Sequence, residues 1–473
     1  MLEVPRIALI VDHPERDLAG IVLAAAELCR RGARPYLVSM SMMSQEIWAL
    51  APDHVVLNYF RNANQEFGRQ LIEAGINVSL LDTEGGVLAS LESYSGMLWS
   101  DHALLGKASA FCMWGGKLAG YLGESGIAPP GRIKVTGCPR FDFYHPRWRS
   151  VLSNGSGERR TLLLLNSNHT LANPRFVKPE REVELYVTQY GRNREEMQTK
   201  QALDRKALES IAKLASDLAR DFPEFDVVLR PHPFERRDTY LELLAPLPNL
   251  NVVQDGPVQP WVVRASAVIQ RNCSTAIEAG MAGVPALSPQ WYESYFNMPA
   301  SEAVSVGFPR YEDLRDAVSQ ISAGSFSVPP KVREALAATI ADWFCSADGE
   351  SHRRVCDALL DVQAGGDIDY KFCRRNLYCL DTSSGFATDL GNRLRHALRL
   401  HPTWSFARMA NAAKDSWVRT AKYFSPEQVQ QLVDRISAQA GWNDRFHVHV
   451  ATDRTDYRAG TGLGYSIAID LLR

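Results

Sequence analysis

Short apolar runs recur roughly every 20 to 30 residues through the first two thirds of this 473-residue chain, and segments of helical character separate them. Residues 6–12 (RIALIVD), 54–59 (HVVLNY) and 77–82 (NVSLLD) have the composition of buried strands, while the Ala/Leu-rich residues 18–31 predict a helix. Strands that alternate with helices in this way predict βαβ units and a parallel sheet. The alternation therefore predicts an α/β fold.

The alternation stops once and then starts again, which divides the chain. Residues 143–160 (FYHPRWRSVLSNGSGERR) show no periodicity, and a second series of strands begins with TLLLL at 161–165. We predict four regions, which are a Rossmann-like N-terminal domain (1–145), a linker (146–160), a Rossmann-like C-terminal domain (161–328) and a mainly helical C-terminal extension (329–473). Two doubly wound domains in tandem predict a cleft that the strand ends of both sheets face.

The composition excludes several classes of protein. The chain has 52 Lys and Arg against 54 Asp and Glu and no long basic run, so we expect no nucleic-acid partner. The first apolar run is too short for a signal sequence, and no segment has the length of a membrane span, which predicts a cytoplasmic protein. The eight Cys residues lack the spacing of a metal site, so we expect reduced thiols and no metal.

Two strand ends in the second domain carry residues suited to a nucleotide. After DVVLR, two prolines fix a turn around His232, and Arg230 and His232 on alternate positions could both contact a phosphate. His232 could do so as a hydrogen-bond donor or as a catalytic acid. His232 could instead only hydrogen-bond its own turn. Ligands of open α/β sheets bind at such carboxyl ends of the strands.

The second of these strand ends is the stretch NCSTAIE, which leaves a strand and opens a helix. Ser274 or Thr275 is well placed to cap that helix, and the helix N-terminus, with Asn272 before it, favours an anion. Glu278 lies one helical turn beyond Ser274, where a carboxylate can accept both hydroxyls of a ribose. The alternative is that Ser274 is only a helix cap.

Candidate catalytic residues follow strands in both domains. In the DTEGG turn, Glu84 could act as a base for an acceptor hydroxyl or as a nucleophile, although Asp82 and Glu84 could instead only cap the next helix. Asp101 and the adjacent His102 could form an acid/base pair. His169, in the sequence NSNH after the first strand of the second domain, is predicted to face the cleft.

The motifs VDHPERDLAG, VVLNYFRNAN, LLDTEGG, VTGCPRFD, LRPHPFE and NCSTAIEAGMAGVPAL together resemble those of bacterial surface carbohydrate biosynthesis proteins. That family includes retaining transferases for 3-deoxy-D-manno-oct-2-ulosonic acid (Kdo), which use a CMP-linked donor. The resemblance covers roughly residues 5–300. It implies a metal-independent glycosyltransferase of the GT-B fold, with the nucleotide bound by the second domain and the acidic turn supplied by the first.

The resemblance assigns the nucleotide to Arg230, His232, Ser274, Thr275 and Glu278, and the acidic turn to Glu84. One departure concerns the Asp nucleophile that related retaining enzymes place near the first strand of the second domain. This chain has NSNHTLAN there. Either Glu84 or Asp101 supplies the nucleophile, or the reaction inverts the anomeric centre, or the transferred sugar is different.

We therefore expect an enzyme that moves a sugar, an ulosonic acid such as Kdo from a CMP-linked donor, onto a capsule, lipopolysaccharide or other surface polysaccharide or its lipid-linked precursor. Its partners would be the nucleotide-sugar donor, the glycan acceptor and other polysaccharide-assembly enzymes, with no cofactor besides the donor. The basic residues 393–399 and nearby Trp side chains could give peripheral contact with the inner membrane. The alternatives are a UDP-GlcNAc 2-epimerase-like enzyme, a CDP-glycerol-type polyol phosphotransferase and a non-catalytic glycan-assembly subunit.

Overall fold

A computed structural model describes residues 4–87, 90–152, 162–295, 297–363, 366–378, 386–398, 400, 422–461 and 464–472. The described chain divides into two compact units. Unit 1 contains residues 4–86, 90–143 and 342–472, and unit 2 contains residues 144–341 together with Val87. Each unit has its own β-sheet.

Six parallel strands form the body of the sheet in unit 1. They are β1 (Arg6–Val11), β2 (Arg34–Ser39), β3 (His54–Leu57), β4 (Asn77–Leu81), β5 (Ala110–Met113) and β6 (Ile133–Val135). Their spatial order is β2-β1-β3-β4-β5-β6, so the direction of strand addition reverses between β1 and β3. All six residues of β1 are buried, as expected for a strand covered on both faces of a parallel sheet.

Helices from both ends of the chain pack on this sheet. Those described from the first part of unit 1 are α1 (Pro14–Arg30), α2 (Met43–Leu50), α3 (Gln65–Glu73), α4 (Leu91–Ser95), α5 (His102–Leu105) and α6 (Gly116–Glu124). The sequence pattern explains α1, in which Pro14 occupies the first turn and the Ala/Leu-rich centre is buried.

Unit 2 contains six parallel strands. They are β7 (Leu162–Asn166), β8 (Asp226–Arg230), β9 (Leu250–Val252), β10 (Ala267–Ile269), β11 (Ala286–Pro289) and β12 (Val306–Phe308). Their spatial order is β12-β11-β10-β7-β8-β9, which corresponds to the Rossmann order 3-2-1-4-5-6 read from the other edge. The direction of strand addition therefore reverses between β7 and β10.

Helices pack on both faces of the second sheet. Those described are α7 (Arg149–Leu152), α8 (Pro179–Tyr190), α9 (Arg194–Asp221), α10 (Arg237–Leu243), α11 (Gln259–Arg264), α12 (Thr275–Met281), α13 (Pro299–Ala303) and α14 (Tyr311–Ser322), and α15 (Pro330–Trp343) crosses the division between the units. Leu163 and Leu165 of β7 pack with the buried face of α9. Leu162 and Leu164, which point to the opposite face, are buried as well.

The C-terminal part of the chain returns to unit 1. Its described elements are α16 (Ser351–Leu360), α17 (Tyr370–Leu377), α18 (Phe386–Leu398), α19 (Pro426–Ala440), β13 (Arg445–Val450) and β14 (Ile467–Leu472). β13 and β14 form an antiparallel pair, and β14 pairs antiparallel with β2, so the sheet of unit 1 has eight strands. Strands from the end of the chain thus cover the edge that β2 would otherwise leave unpaired.

The prediction of two Rossmann-like α/β domains is confirmed by the two sheets, each of which has six parallel strands among the described residues. The structure divides the chain after residues 143 and 341, whereas the sequence predicted boundaries at 145 and 328 and an extension over 329–473. The difference arises because the C-terminal strands pair with β2 across more than 400 residues of sequence. Part of the predicted linker, 153–160, lies outside the described residues, and residues 149–152 form α7.

No helix in the described ranges combines the length and apolar character needed to cross a membrane.

Candidate functional site

The reversal point between β7 and β10 in unit 2 brings together several of the predicted site residues. β7 ends at Asn166 and leads to His169, and β10 ends at Ile269 and leads to Asn272 and Ser274. Because adjacent strands on either side of a reversal point send their connections to opposite faces of the sheet, a crevice forms at their carboxyl ends. The predicted residues therefore lie where ligands of this fold bind.

The turn that follows β10 depends on Asn272. This residue has a φ of 54°, a left-handed conformation that Asn adopts more readily than most residues. Its backbone N–H donates to Glu302 Oε1 at 2.9 Å, and its Oδ1 accepts from the Met298 N–H at 3.0 Å. A cavity of about 410 Å³ opens beside it, within the size range of small-molecule sites, and is lined by the polar residues Arg271, Asn272, Gln290, Glu293, Ser294, Asn297 and Glu302.

The N-terminal capping of α12, the helix after this turn, differs from the prediction. Ser274 occupies the N-cap position of α12, but its side chain makes no capping hydrogen bond, because its backbone is already helical rather than extended. The Thr275 hydroxyl donates to Cys273 Sγ at 3.2 Å. Glu278 is buried, and its Oε2 accepts a hydrogen bond from the Tyr144 hydroxyl, so a tyrosine fixes the carboxylate predicted to bind a ribose.

Arg230 has a different role from the predicted phosphate contact. It is 7% exposed, and its guanidinium donates to the carbonyl oxygens of Asp255 at 3.2 Å and Gly256 at 2.7 Å. The ring of Trp261 lies 5.7 Å from its guanidinium carbon. Arg230 therefore stabilises the 254–256 turn, since its donors point at the backbone of that turn.

His232 lies in a turn that two side chains hold from both sides. Its backbone N–H donates to Glu235 Oε2 at 2.6 Å, and its carbonyl oxygen accepts from Gln254 Nε2 at 2.8 Å. The ring Nδ1 accepts the Phe234 N–H at 3.2 Å. Because Nδ1 is an acceptor, the neutral ring carries its proton on Nε2.

Glu235 is the buried centre of this network and was not predicted as a site residue. Its Oε2 also accepts from the Ser167 hydroxyl at 2.8 Å, and its Oε1 accepts from the Tyr240 hydroxyl at 2.6 Å. Burial raises the pKa of Glu235 above its ordinary value, against the opposing hydrogen bonds from Tyr240, His232 and Ser167. The carboxyl group thus ties the end of β7 to the turn after β8.

His169 forms a buried pair with Asp204 of α9. Its Nδ1 lies 2.7 Å from Asp204 Oδ1, and the other carboxylate oxygen accepts the Ala172 N–H at 2.9 Å. The two side chains are 6% and 1% exposed. Since a carboxylate oxygen can only accept, Nδ1 carries a proton, and in the neutral form of the ring the lone pair is on Nε2.

In their neutral forms, His169 and His232 are therefore held in opposite tautomers. His169 presents a proton acceptor at Nε2, and His232 carries an N–H donor at the same ring position. Transfer of a group from a phosphate ester to a hydroxyl needs two functions. One is a base that takes the hydroxyl proton, and the other is an N–H group that binds a phosphate oxygen.

In unit 1, the acidic turn after β4 is built differently from the prediction. Glu84 is exposed over 65% of its side chain and pairs with Arg16 at 3.3 Å. Asp82 is instead the buried acid, with Arg61 at 3.2 Å, the Tyr94 hydroxyl at 2.8 Å and the Glu84 N–H at 2.8 Å. Burial raises the pKa of Asp82, against the opposing charge of Arg61. Asp82, and not Glu84, is therefore the buried carboxylate of this turn.

Asp101 caps a helix, which differs from its predicted catalytic role. Its Oδ1 accepts the Leu104 N–H at 3.0 Å at the start of α5, and its Oδ2 pairs with Arg69 at 2.9 Å. The hydrogen bond from Arg69 and that from the Leu104 N–H lower the pKa of Asp101, which does not suit a general acid. The neighbouring His102 is exposed.

Sequence reasoning missed Asp204, Glu235, Ser167 and Tyr240. Glu235 lies three residues after His232 in the HPFE motif, a spacing at which a carboxylate can reach back to a backbone N–H, and this could have indicated its role. Asp204 lies within the charged stretch of a long amphipathic helix, where no local pattern separates it from solvated acids.

Three solved structures are similar to this chain at low identity. UDP-GlcNAc 2-epimerase from Neisseria meningitidis, bound to UDP-GlcNAc, has 12% identity and a TM-score of 0.49 over 75% of this chain and 99% of its own. The calicheamicin glycosyltransferase CalG4 has 16% identity and a TM-score of 0.38 over 76% and 98%. The wall teichoic acid polymerase TagF, soaked with CDPG, has 11% identity and a TM-score of 0.44 over 75% and 88%.

No protein-family model matches the sequence, and no curated protein matches it.

Proposed function

We propose that the protein is a glycosyltransferase that binds a nucleotide-sugar donor at the β7/β10 crevice of unit 2. The specific donor we propose, from the resemblance of the sequence motifs, is a CMP-linked ulosonic acid such as Kdo. The acceptor would be a bacterial surface polysaccharide or its lipid-linked precursor, and the enzyme would need no metal.

One observation carries this proposal. Unit 2 has the Rossmann strand order, and Asn272, Ser274, Thr275 and Glu278, which were predicted for the nucleotide, follow β10 at its reversal point. His232 follows β8, the strand next to β7. The reversal point is where doubly wound sheets bind nucleotides. The polar cavity beside Asn272 would hold the donor sugar next to the nucleotide.

The contacts to the nucleotide follow from the placement of each group. The start of α12, with Ser274 and Thr275, would face the phosphate, and His232 would donate from Nε2 to a phosphate oxygen. Glu278, held by Tyr144, would accept the ribose hydroxyls. Arg230 has no direct contact in this scheme, because it stabilises the neighbouring turn.

The reaction transfers one glycosyl group and one proton. The bond between the anomeric carbon and the phosphate oxygen breaks, and the nucleotide leaves with the bonding electrons. The acceptor oxygen bonds to the anomeric carbon, and its proton passes to Nε2 of His169. The exposure of Glu84 and its ion pair with Arg16 favour His169 over Glu84 as this base.

Nucleotide binding provides the first test. The melting temperature should rise with CMP and less with UDP, CDP or GDP, because a ligand at 100 times its Kd adds about 2.7 kcal/mol to the free energy of unfolding. Glu278→Gln should weaken CMP binding about tenfold, because the amide loses a charged acceptor for the ribose. Glu242→Gln, on the exposed surface of α10, is the matched control and should bind CMP normally.

Turnover provides the second test. The enzyme should release CMP from CMP-Kdo in the presence of a lipopolysaccharide or capsule precursor. Conversion of UDP-GlcNAc without any acceptor would instead identify an epimerase, and the absence of any nucleotide-dependent melting shift would contradict the proposal.

A further inference from the structure

Helix α18 of unit 1 presents three leucine side chains to solvent at helical spacing. Leu390, Leu394 and Leu398 are 50%, 53% and 65% exposed. Because residues four positions apart lie on the same side of a helix, these side chains form one leucine stripe along about two turns of α18. Isolated exposed leucines are common on protein surfaces, whereas a continuous apolar stripe marks an interaction surface.

The side of α18 that lies opposite the leucine stripe contacts the rest of unit 1. His396 comes two residues after Leu394 and therefore points away from the stripe. Its ring packs edge-on against the ring of the buried Tyr378, with 5.2 Å between the ring centroids. A surface helix usually turns its apolar side toward the core and its polar side toward water. The described side chains of α18 have the reverse arrangement, so the packing of unit 1 does not explain the exposed stripe.

Positive charge flanks the leucine stripe on both sides. Arg393 and Arg395 stand directly before and after Leu394, so each lies about 100° around the helix from the centre of the stripe. Arg393 is exposed and Arg395 is half-buried. In the sequence, residues 370–422 contain ten Lys and Arg against three Asp, although the whole chain has a net charge of -2. The excess of positive charge is therefore concentrated in the part of the chain that carries the stripe.

An apolar stripe between two cations matches the interface of a bilayer that contains anionic lipids. The leucines can enter the acyl boundary, while the aliphatic stems of the arginines lie along it and their guanidinium groups reach the headgroups. A nucleic acid would use the cations and leave the leucines in water, and an apolar protein groove would not require the cations. The 13 residues of α18 are too few to cross a bilayer, so the helix would lie along its surface.

We propose that α18 docks unit 1 on an anionic lipid surface through Leu390, Leu394 and Leu398, with Arg393 and Arg395 at the headgroups. The sequence predicted membrane contact from its basic residues, and the exposed leucines supply the apolar contribution that charge alone lacks. Docking of this kind requires neither the nucleotide-sugar donor nor the acceptor, and it is therefore independent of the proposed glycosyl transfer.

Flotation of the full chain with lipid vesicles tests this surface. Vesicles of phosphatidylglycerol mixed with phosphatidylcholine should bind the protein, vesicles of phosphatidylcholine alone should bind it far less, and added salt should weaken the binding. Leu394→Gln should weaken binding to the anionic vesicles about tenfold, because one leucine side chain no longer enters the bilayer. Arg393→Gln should weaken it about fivefold. Leu241→Gln, at a leucine that is 52% exposed on α10 of unit 2, is the matched control and should bind like the wild type.

The melting temperatures of the three variants should equal that of the wild type, because each replaced side chain faces solvent. A loss of vesicle binding in Leu394→Gln is then not a folding defect. No binding by the wild type, equal binding to neutral and anionic vesicles, or unchanged binding in Leu394→Gln would overturn the proposal. Sedimentation velocity without lipid tests the main alternative. If Leu394→Gln abolishes self-association of the wild type and leaves vesicle binding unchanged, the stripe is a contact between two copies of the chain.

Discussion

Replacement of Asp204 by Asn should abolish most of the activity while it changes the fold little. Asp204 accepts two hydrogen bonds, from His169 Nδ1 at 2.7 Å and from the Ala172 N–H at 2.9 Å. An Asn side chain has one oxygen and one NH₂ group, so it cannot accept both. If its oxygen keeps the Ala172 N–H, its NH₂ group faces His169 and turns Nδ1 into an acceptor. The His169 proton then moves to Nε2, and the lone pair that would take the acceptor proton is lost.

The size of the effect follows from these two bonds. Loss of a positioned general base reduces kcat by about 10²–10⁴-fold, with little change in KM because the base does not bind the donor. Loss of one charge-assisted hydrogen bond reduces the free energy of unfolding by about 1.5–3 kcal/mol. The change in kcat should therefore far exceed the change in stability.

Steady-state CMP release from the donor, measured with saturating acceptor, gives kcat and KM for Asp204→Asn. Nitrogen-15 NMR of the imidazole rings reports the tautomer of His169 without any need for turnover. Glu209→Gln, at an exposed position on the same helix, is the matched control. A variant with wild-type kcat, or with the His169 proton still on Nδ1, would refute the role assigned to Asp204.

Two further predictions concern the stability of unit 1. Asp142→Ala should lower the free energy of unfolding, measured in urea titrations, by about 3 kcal/mol. The reason is that Asp142 is the shared buried acceptor of the Ser351 N–H, the His352 N–H and His352 Nδ1. A loss below about 1 kcal/mol would be inconsistent with that role. His54, whose Nε2 lies 2.7 Å from the Ser79 hydroxyl, has its pKa lowered by burial to about 4. The unfolded chain then binds more protons than the folded one between pH 6.5 and 4, so stability should fall by up to about 3 kcal/mol across that window as the pH decreases, and His54→Gln should remove most of this fall.

The strand ends show how far local patterns predict a site. His232 and Glu278 were both predicted because each follows an apolar run and a turn, and the periodicity of apolar residues needs only neighbouring positions. The same patterns could not separate Glu84 from Asp82. Both stand in one acidic turn, and only the packing of Arg61 and Tyr94 decides which carboxyl group is buried. The role of Arg230 was missed for the same reason, because its partners come from a turn more than 20 residues later.

The sequence by itself determined the two α/β units and the strands whose ends carry polar residues. This was possible because βαβ units are built from contacts between segments that are close in sequence. Only the tertiary structure decided that Asp204 holds the Nδ1 proton of His169, that Lys422 pairs with Asp12, and that the buried Asn58 Oδ1 has no hydrogen-bond partner among the described residues. Those properties depend on which side chains meet across 35 to more than 400 residues of chain, and on how much water that packing removes from each polar atom.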